Sequence, residues 1–297
     1  MRKVICISLL FSLFMLNSCA PQSSIAANPQ SKSTNAYIQN KGSDTLVNLA
    51  LSWAEHYQSL HPEIEISVTG GGSGTGFTSL INGTVDIANA SRQIKAEEVQ
   101  QAKANGFDPV EFIVANDAIA VIVNPGNPVS QLTLDQVSRI YQGLINNWQE
   151  VGGENRPIVR LSRETNSGTH VYFLETVIRL GDAKNKSFFS ADTLLLPSSE
   201  GIISEVRDNP NAIGYDGLGY VTPEVKTIAL AKNVTDLYVL PSAASVTDNS
   251  YPISRSLYMY THGQPSGAIK DYIDWIKSAE AQKFTIQLGF VPLTANQ

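Results

Sequence analysis

The chain is poor in cysteine, in histidine and in charge: its 297 residues include 2 cysteines, 4 histidines and 16% charged side chains. Both cysteines, Cys6 and Cys19, lie near the start, so the body of the chain has no material for a disulfide, a thiolate metal site or a thiol nucleophile. The histidines, His56, His61, His170 and His262, are scattered without metal-ligand spacing. Basic residues are in deficit, 21 against 27 acidic, for a formal charge of −6, and nothing in that balance suggests nucleic acid. The apolar stretch Val4–Leu16 is shorter than the roughly 20 residues a spanning helix needs. Nucleotide signatures are missing too. Gly71 to Gly76 has the glycine spacing of a P-loop, but Phe77 stands where the phosphate-binding lysine belongs. Phe77 also breaks the dinucleotide fingerprint that Gly72 and Gly74 begin, and Thr75 breaks a G-x-S-x-G elbow around Ser73.

What the start does contain is Met1-Arg2-Lys3, the short apolar run, and Leu16-Asn17-Ser18-Cys19. A basic n-region, a short apolar core and small residues before a cleavage point describe a secretory signal over residues 1–18. The L-x-S-C ending resembles a bacterial lipobox, which would make Cys19 a lipidation site and anchor the mature chain to a membrane. Ordinary cleavage near Ala26-Ala27 is the alternative. Loss of Arg2 and Lys3 makes the mature chain more acidic still. Residues 19–35, mostly Ser, Ala, Gln, Asn and Pro with almost no apolar periodicity, read as a flexible tether.

From Ala36 onward, about 260 residues with a globular composition (42% hydrophobic for the whole chain) are enough for one large domain or two lobes. Strands and helices alternate, which predicts α/β architecture with mainly parallel sheets. Three loops share one logic. Ile64–Val68 alternates as a strand, and Phe77, Leu80 and Ile81 have helical spacing, so the uncharged Gly70–Gly76 loop between them feeds a helix N-terminus. Such a loop aims backbone N–H groups at one spot and suits a small anion, although glycines also serve plain turns. Gly42-Ser43-Asp44-Thr45 precedes an amphipathic helix, with Ser43 or Asp44 as N-cap. Strand Ile158–Leu161 leads through Arg163, Ser167, Gly168 and Thr169 into another helix that Ser167 caps. Each loop alone is explained by capping. Together they would offer hydroxyl and N–H donors from three sides, with Arg163 as a bidentate clamp on a tetrahedral oxyanion. Val85–Arg92 adds a fourth segment, a short buried strand that brings Ser91 and Arg92 to a sheet edge, where Arg92 has the option of pairing with a nearby acid instead.

These residues resemble a known family, the periplasmic phosphate-binding proteins of bacterial ABC importers, over about Ile38 to Leu293. The motifs that carry the resemblance are GGGSGTG, VDIANASR, LTLDQVSRIYQGLINNWQEVGG, LSRETNSGTHVYFLE, AIGYDGLGY, YPISRSLYMY and the terminal GFVPL, in that order. It implies a two-lobed fold of type II, each lobe a mainly parallel sheet flanked by helices, joined by a two-segment hinge. Lobe I would comprise residues 36–115 plus about 260–297, and lobe II residues 116–259, with Asn116–Val123 as the first crossing strand and Tyr251–Tyr260 near the return. It further implies a lipid-anchored extracytoplasmic receptor, expected as a monomer, that closes on inorganic phosphate and presents it to an ABC transporter permease, with no catalysis and no cofactor. The implied phosphate contacts are Ser43, Asp44, Thr45, Ser73, Gly74, Ser91, Arg92, Arg163, Ser167, Gly168 and Thr169.

Two departures bear on specificity. Many members of that family have Asp where this chain has Ser91, and Ser or Thr where it has Asp44. The proton acceptor for phosphate is therefore expected to have moved to Asp44, with Arg92 offsetting the charge; if Asp44 is only a cap, discrimination against sulfate is lost. His170 is expected at the rim of the site. A phosphate sensor or adhesion protein on the same fold, and a receptor for sulfate, molybdate or tungstate, are the competing functions.

Overall fold

The computed structural model describes residues 36–294, which lie in one compact unit. The expected signal segment, Cys19 and the tether lie outside the described residues. The strands are β1 (Ala36–Gly42), β2 (Ile64–Thr69), β3 (Ile87–Ala90), β4 (Pro109–Val123), β5 (Gln131–Thr133), β6 (Val159–Arg163), β7 (Leu194–Leu196), β8 (Ala212–Gly217), β9 (Lys226–Thr227), β10 (Ala229–Ala231) and β11 (Ser254–His262). The helices are α1 (Asp44–Leu60), α2 (Ser73–Ile81), α3 (Ala96–Ala104), α4 (Leu134–Tyr141), α5 (Gly168–Phe173), α6 (Ser199–Asp208), α7 (Ala243–Thr247), α8 (Gly267–Ile276) and α9 (Ala281–Gln287). Among the described residues no helix is long and apolar enough to cross a membrane.

The main sheet runs β2-β1-β3-β11-β4-β8-β6-β7. Its outer pairs, β1 with β2 and β3 and β6 with β7 and β8, are parallel, as the βα alternation predicts. The middle is antiparallel. There β11 pairs with both β3 and β4, and β4 pairs with β8. The two segments expected to cross between lobes thus fall in β4 and β11, which lie side by side with Arg255 opposite Asp117. β4 is long enough to serve two neighbours in succession. Its residues Pro109–Ala118 pair with β11, and Ile119–Val123 pair with β8.

Period-2 alternation along β4 divides the hydrophobic core. Ile119, Val121 and Val123 pack with Val137, Ile140 and Trp148 on one face, while Ala120 and Ile122 face Ile202 and Val206 on the other. Helix α1 shows how a stripe is set by sequence. Leu46, Leu49, Ala50, Trp53, Ala54 and Tyr57 are buried at three- and four-residue spacing. Each large apolar side chain so buried stabilises by roughly 1.5–3 kcal/mol. Trp53 also needs a partner for its indole, and donates to the Ala281 carbonyl at 3.0 Å.

This topology positions the loops of interest. β1, β2 and β6 each run straight into a helix, and β3 ends at Ala90 just before Ser91. Four carboxyl ends of parallel strands therefore present their loops along the edges where ligands of open α/β sheets bind.

Candidate functional site

The loops expected to converge do meet. Thr45, the second residue of α1, shares a 2.9 Å hydroxyl bond with Thr169 in the first turn of α5. Ser73, the first residue of α2, accepts the Ser91 N–H at 3.0 Å, and the two hydroxyls lie 3.3 Å apart. Gly168 faces this pair so closely that a methyl group on it would meet Ser73 Oγ and come within 2.6 Å of Ser91 Oγ. Ser167 caps α5 by accepting the N–H groups of Thr169 and His170. Ser43 occupies the N-cap position of α1, yet its hydroxyl makes no capping bond and is buried without a partner. Such a buried, unpaired hydroxyl costs stability unless something else satisfies it.

Around the hydroxyls sit two arginines and three aspartates. Arg163, at the end of β6, donates through Nη2 to Asp44 Oδ2 at 2.7 Å and to the Pro197 carbonyl at 2.9 Å, and through Nη1 to Ser199 Oγ at 2.8 Å. Ser199 in turn donates to Asp216 Oδ1 at 2.9 Å, and Asp216 Oδ2 lies 3.7 Å from Arg163 Nη1. Arg163 Nε, buried, has no partner. Arg255 on β11 reaches Thr169 Oγ1 at 2.9 Å, the Ser91 carbonyl at 2.8 Å and Asp117 Oδ2 at 3.1 Å. Asp117 accepts the Leu218 N–H at its other oxygen.

Burial dominates the electrostatics of this cluster. It pushes the Asp117 carboxyl up to about 6 even though Arg255 pulls the other way. Asp216 is raised for the same reason against the pull of Arg163.

Several expectations need correction. Arg92 does not join the cluster: its guanidinium makes a two-point ion pair with Glu98 at 2.8 and 2.6 Å and covers the Phe77 ring. The acid that captures it is the N3 residue of α3, six positions along the chain. Gly74 does not leave its N–H free, because the Asn166 carbonyl accepts it at 2.9 Å. Arg163 has no free two-nitrogen fork, since Asp44 and Ser199 hold its terminal nitrogens. His170 is buried rather than at a rim. Its Nδ1 lies 3.0 Å from Ser162 Oγ, its ring stacks on Phe189, and burial lowers its pKa to about 4. Asp44 is not the N-cap, which is Ser43, but the first residue of α1, and it accepts both the Gly71 N–H at 2.8 Å and an Arg163 N–H at 2.7 Å.

Arg255, Asp117, Asp216 and Ser199 were not among the expected site residues. The signal for three of them lay in the strands: a charge inside VANDAIAVIV, AIGYDG or SRSLYMY sits where a buried strand should be apolar, and so marks a partnered internal charge. Among the described residues no group of His, Cys, Asp and Glu is arranged to hold a metal ion.

Comparison with known proteins gives consistent results. Residues 27–280 match the family model described as the PBP superfamily domain. The phosphate-binding protein PstS of Pseudomonas aeruginosa is 32% identical over 275 residues, covering 87% of this chain and 83% of that protein. PstS of Bacillus subtilis is 32% identical over 254 residues, covering 85% and 79%. Among solved structures, an ABC-type phosphate transport receptor from Vibrio cholerae aligns with a TM-score of 0.69 at 30% identity, covering 86% of this chain and all of that one. A substrate-binding protein from Clostridium perfringens with bound phosphate aligns with a TM-score of 0.77 at 30% identity, covering 87% and 100%. These relatives are named as binding proteins and transport receptors, not as enzymes.

Proposed function

We propose that this chain, which belongs to the PBP superfamily, binds inorganic phosphate between the loops that carry Ser43–Thr45, Ser73, Ser91 and Arg163–Thr169. The observation that carries this reading is the convergence of those hydroxyls and Arg163 in one buried cluster that retains unpartnered groups, Ser43 Oγ and Arg163 Nε. Its donors suit an oxyanion: hydroxyls and N–H dipoles at close range, with cations already balanced by aspartates. An acidic protein can bind an anion this way, because long-range repulsion is screened beyond about 8–10 Å while the dipoles act at contact.

In this reading residues 36–115 with about 260–297 form one lobe and residues 116–259 the other, and β4 and β11 are the hinge segments. Closure over phosphate then creates the shape that an ABC transporter permease takes up. The receptor is a monomer outside the cytoplasmic membrane, tethered through lipid on Cys19. Replacing Cys19 with Ser should release the chain from membranes.

Asp44 supplies selectivity. Both its oxygens already accept one bond, and each keeps a lone pair for a proton that phosphate carries at neutral pH. Sulfate has no such proton and would meet the carboxylate unpaired, a penalty of about 1–3 kcal/mol or more. Calorimetric titration of the protein with phosphate and with sulfate at pH 7 tests both points. Phosphate is expected to bind at least tenfold more tightly, and Asp44→Asn to narrow that ratio. Equal affinity for both anions would reassign the ligand to oxyanions in general, and binding of neither would end the receptor reading.

A further inference from the structure

The glycine-rich loop raises a question that anion binding leaves unanswered. Helix α2 starts at Ser73, and its N-cap is Gly72, which has no side chain to satisfy the first-turn amides. The cap comes instead from the opposite loop. The Asn166 carbonyl accepts the Gly74 N–H at 2.9 Å, where the positive end of the helix dipole favours an oxygen. Asn166 completes the contact by donating its Nδ2 to the Gly71 carbonyl at 2.8 Å.

Space at the contact is closely matched to glycine. Gly72 has φ +86°, and a Cβ there would stand 2.8 Å from the Asn166 carbonyl oxygen. At Gly74 a Cβ would stand 3.2 Å from the same oxygen. Asp44 holds the other side of the loop through the Gly71 N–H and, with its second oxygen, holds Arg163. Gly71, Asn166, Arg163 and Asp44 therefore make a closed circuit, its last link the chain from Arg163 to Asn166. α2 packs against β1 and β3, and α5 follows from β6.

We infer that Asn166 is a positioning residue that latches the Arg163–Thr169 loop onto the glycine-rich loop, so that Gly72 and Gly74 serve closure of the cleft rather than direct contact with the ligand. Asn166 is exposed at the rim, where water competes for its bonds, so the latch is weak enough to open on each binding cycle. Losing it leaves the ligand contacts intact but shortens the time for which they are enclosed. The effect therefore belongs to the dissociation rate.

Two variants test this with the full chain. Asn166→Ala removes the side-chain bond alone. Gly74→Ala puts a methyl group against the Asn166 carbonyl at a position in α2 where alanine is otherwise the better helix former. Both are expected to raise the rate of inorganic phosphate dissociation about 5- to 10-fold in stopped-flow measurements, with association within about twofold of wild type. Gly74→Ala should do so with an undiminished Tm, which a merely structural role would not produce. Hydrogen exchange of residues 70–76 in phosphate-free protein should speed up in Asn166→Ala. The affinity readout rests on the phosphate reading above, whereas the exchange readout does not. If the wild-type chain binds no phosphate, that reading fails and exchange alone decides the latch. Wild-type dissociation rates in both variants, exchange unchanged in Asn166→Ala, or a Gly74→Ala defect matched by loss of Tm would overturn the inference.

Discussion

Removing Arg255 isolates the cost of the buried charges beneath the site. Its guanidinium is 3% exposed and Asp117 is fully buried, so Arg255→Met leaves a buried carboxylate without its cation. Breaking a buried pair from one side costs roughly 3–5 kcal/mol. For a domain of this size each kcal/mol lowers Tm by about 2–4 °C, so a fall of roughly 6–20 °C is expected. The penalty should depend on pH in a definite sense. Asp117 has a folded pKa of about 6 with Arg255 present, and losing its strongest downward pull raises that value further. A carboxyl whose folded pKa exceeds its unfolded value contributes stability at low pH and loses it as pH rises. Above pH 6 the wild-type carboxyl is ionised and paired, while in the variant it must stay protonated. The deficit should therefore shrink by up to roughly 1.4 kcal/mol per unit as pH falls from 8 to 6, and flatten below. Adding Asp117→Asn, which needs no cation, should recover a good part of the loss and remove the slope. Urea unfolding followed by tryptophan fluorescence at pH 6 and 8 measures all three proteins. A deficit equal at both pH values, or a double variant no more stable than Arg255→Met, would refute the argument.

His170, held neutral by burial with a pKa of about 4, gives the opposite sign. Its depressed value means that the unfolded chain binds the proton more readily between pH 6.5 and 4, so wild-type stability should fall by about 3 kcal/mol across that window and His170→Gln should flatten the fall. An NMR titration of the ring with a midpoint near 6.5 would contradict this. Gly168→Ala drives a methyl group onto the Ser73 and Ser91 hydroxyls. It should weaken phosphate binding at least tenfold in calorimetry, and unchanged affinity would mean that these loops are not opposed in the binding form.

What could be read from the sequence was whatever is encoded locally. β2, α2 and α1 follow from period and spacing, and Ser167 caps α5 as expected, because strand alternation, helical stripes and caps involve residues within a few positions of each other. Convergence of the Ser43, Ser73 and Ser167 loops was also legible, since parallel strands place the helix entries that follow them along one edge. Partnership at a distance was not. The choice of Arg92 between a ligand and an acid was settled by Glu98 on α3, a neighbour visible in sequence but not distinguishable from other surface glutamates. Arg163 was expected to offer its fork to an anion, yet Asp44, 119 positions away, takes half of it. The same holds for the glycines of residues 70–76. Loop composition said only that something must come close to their backbone, and ligand and protein satisfy that requirement equally well. At Gly72 and Gly74 the Asn166 carbonyl fills the place, from a residue whose side-chain amide also reaches Gly71, 95 positions away, and only the fold brings the two together. A glycine-rich turn before a helix is thus evidence of a close approach and not of the identity of what approaches. The identity comes from whichever element the topology sets opposite it.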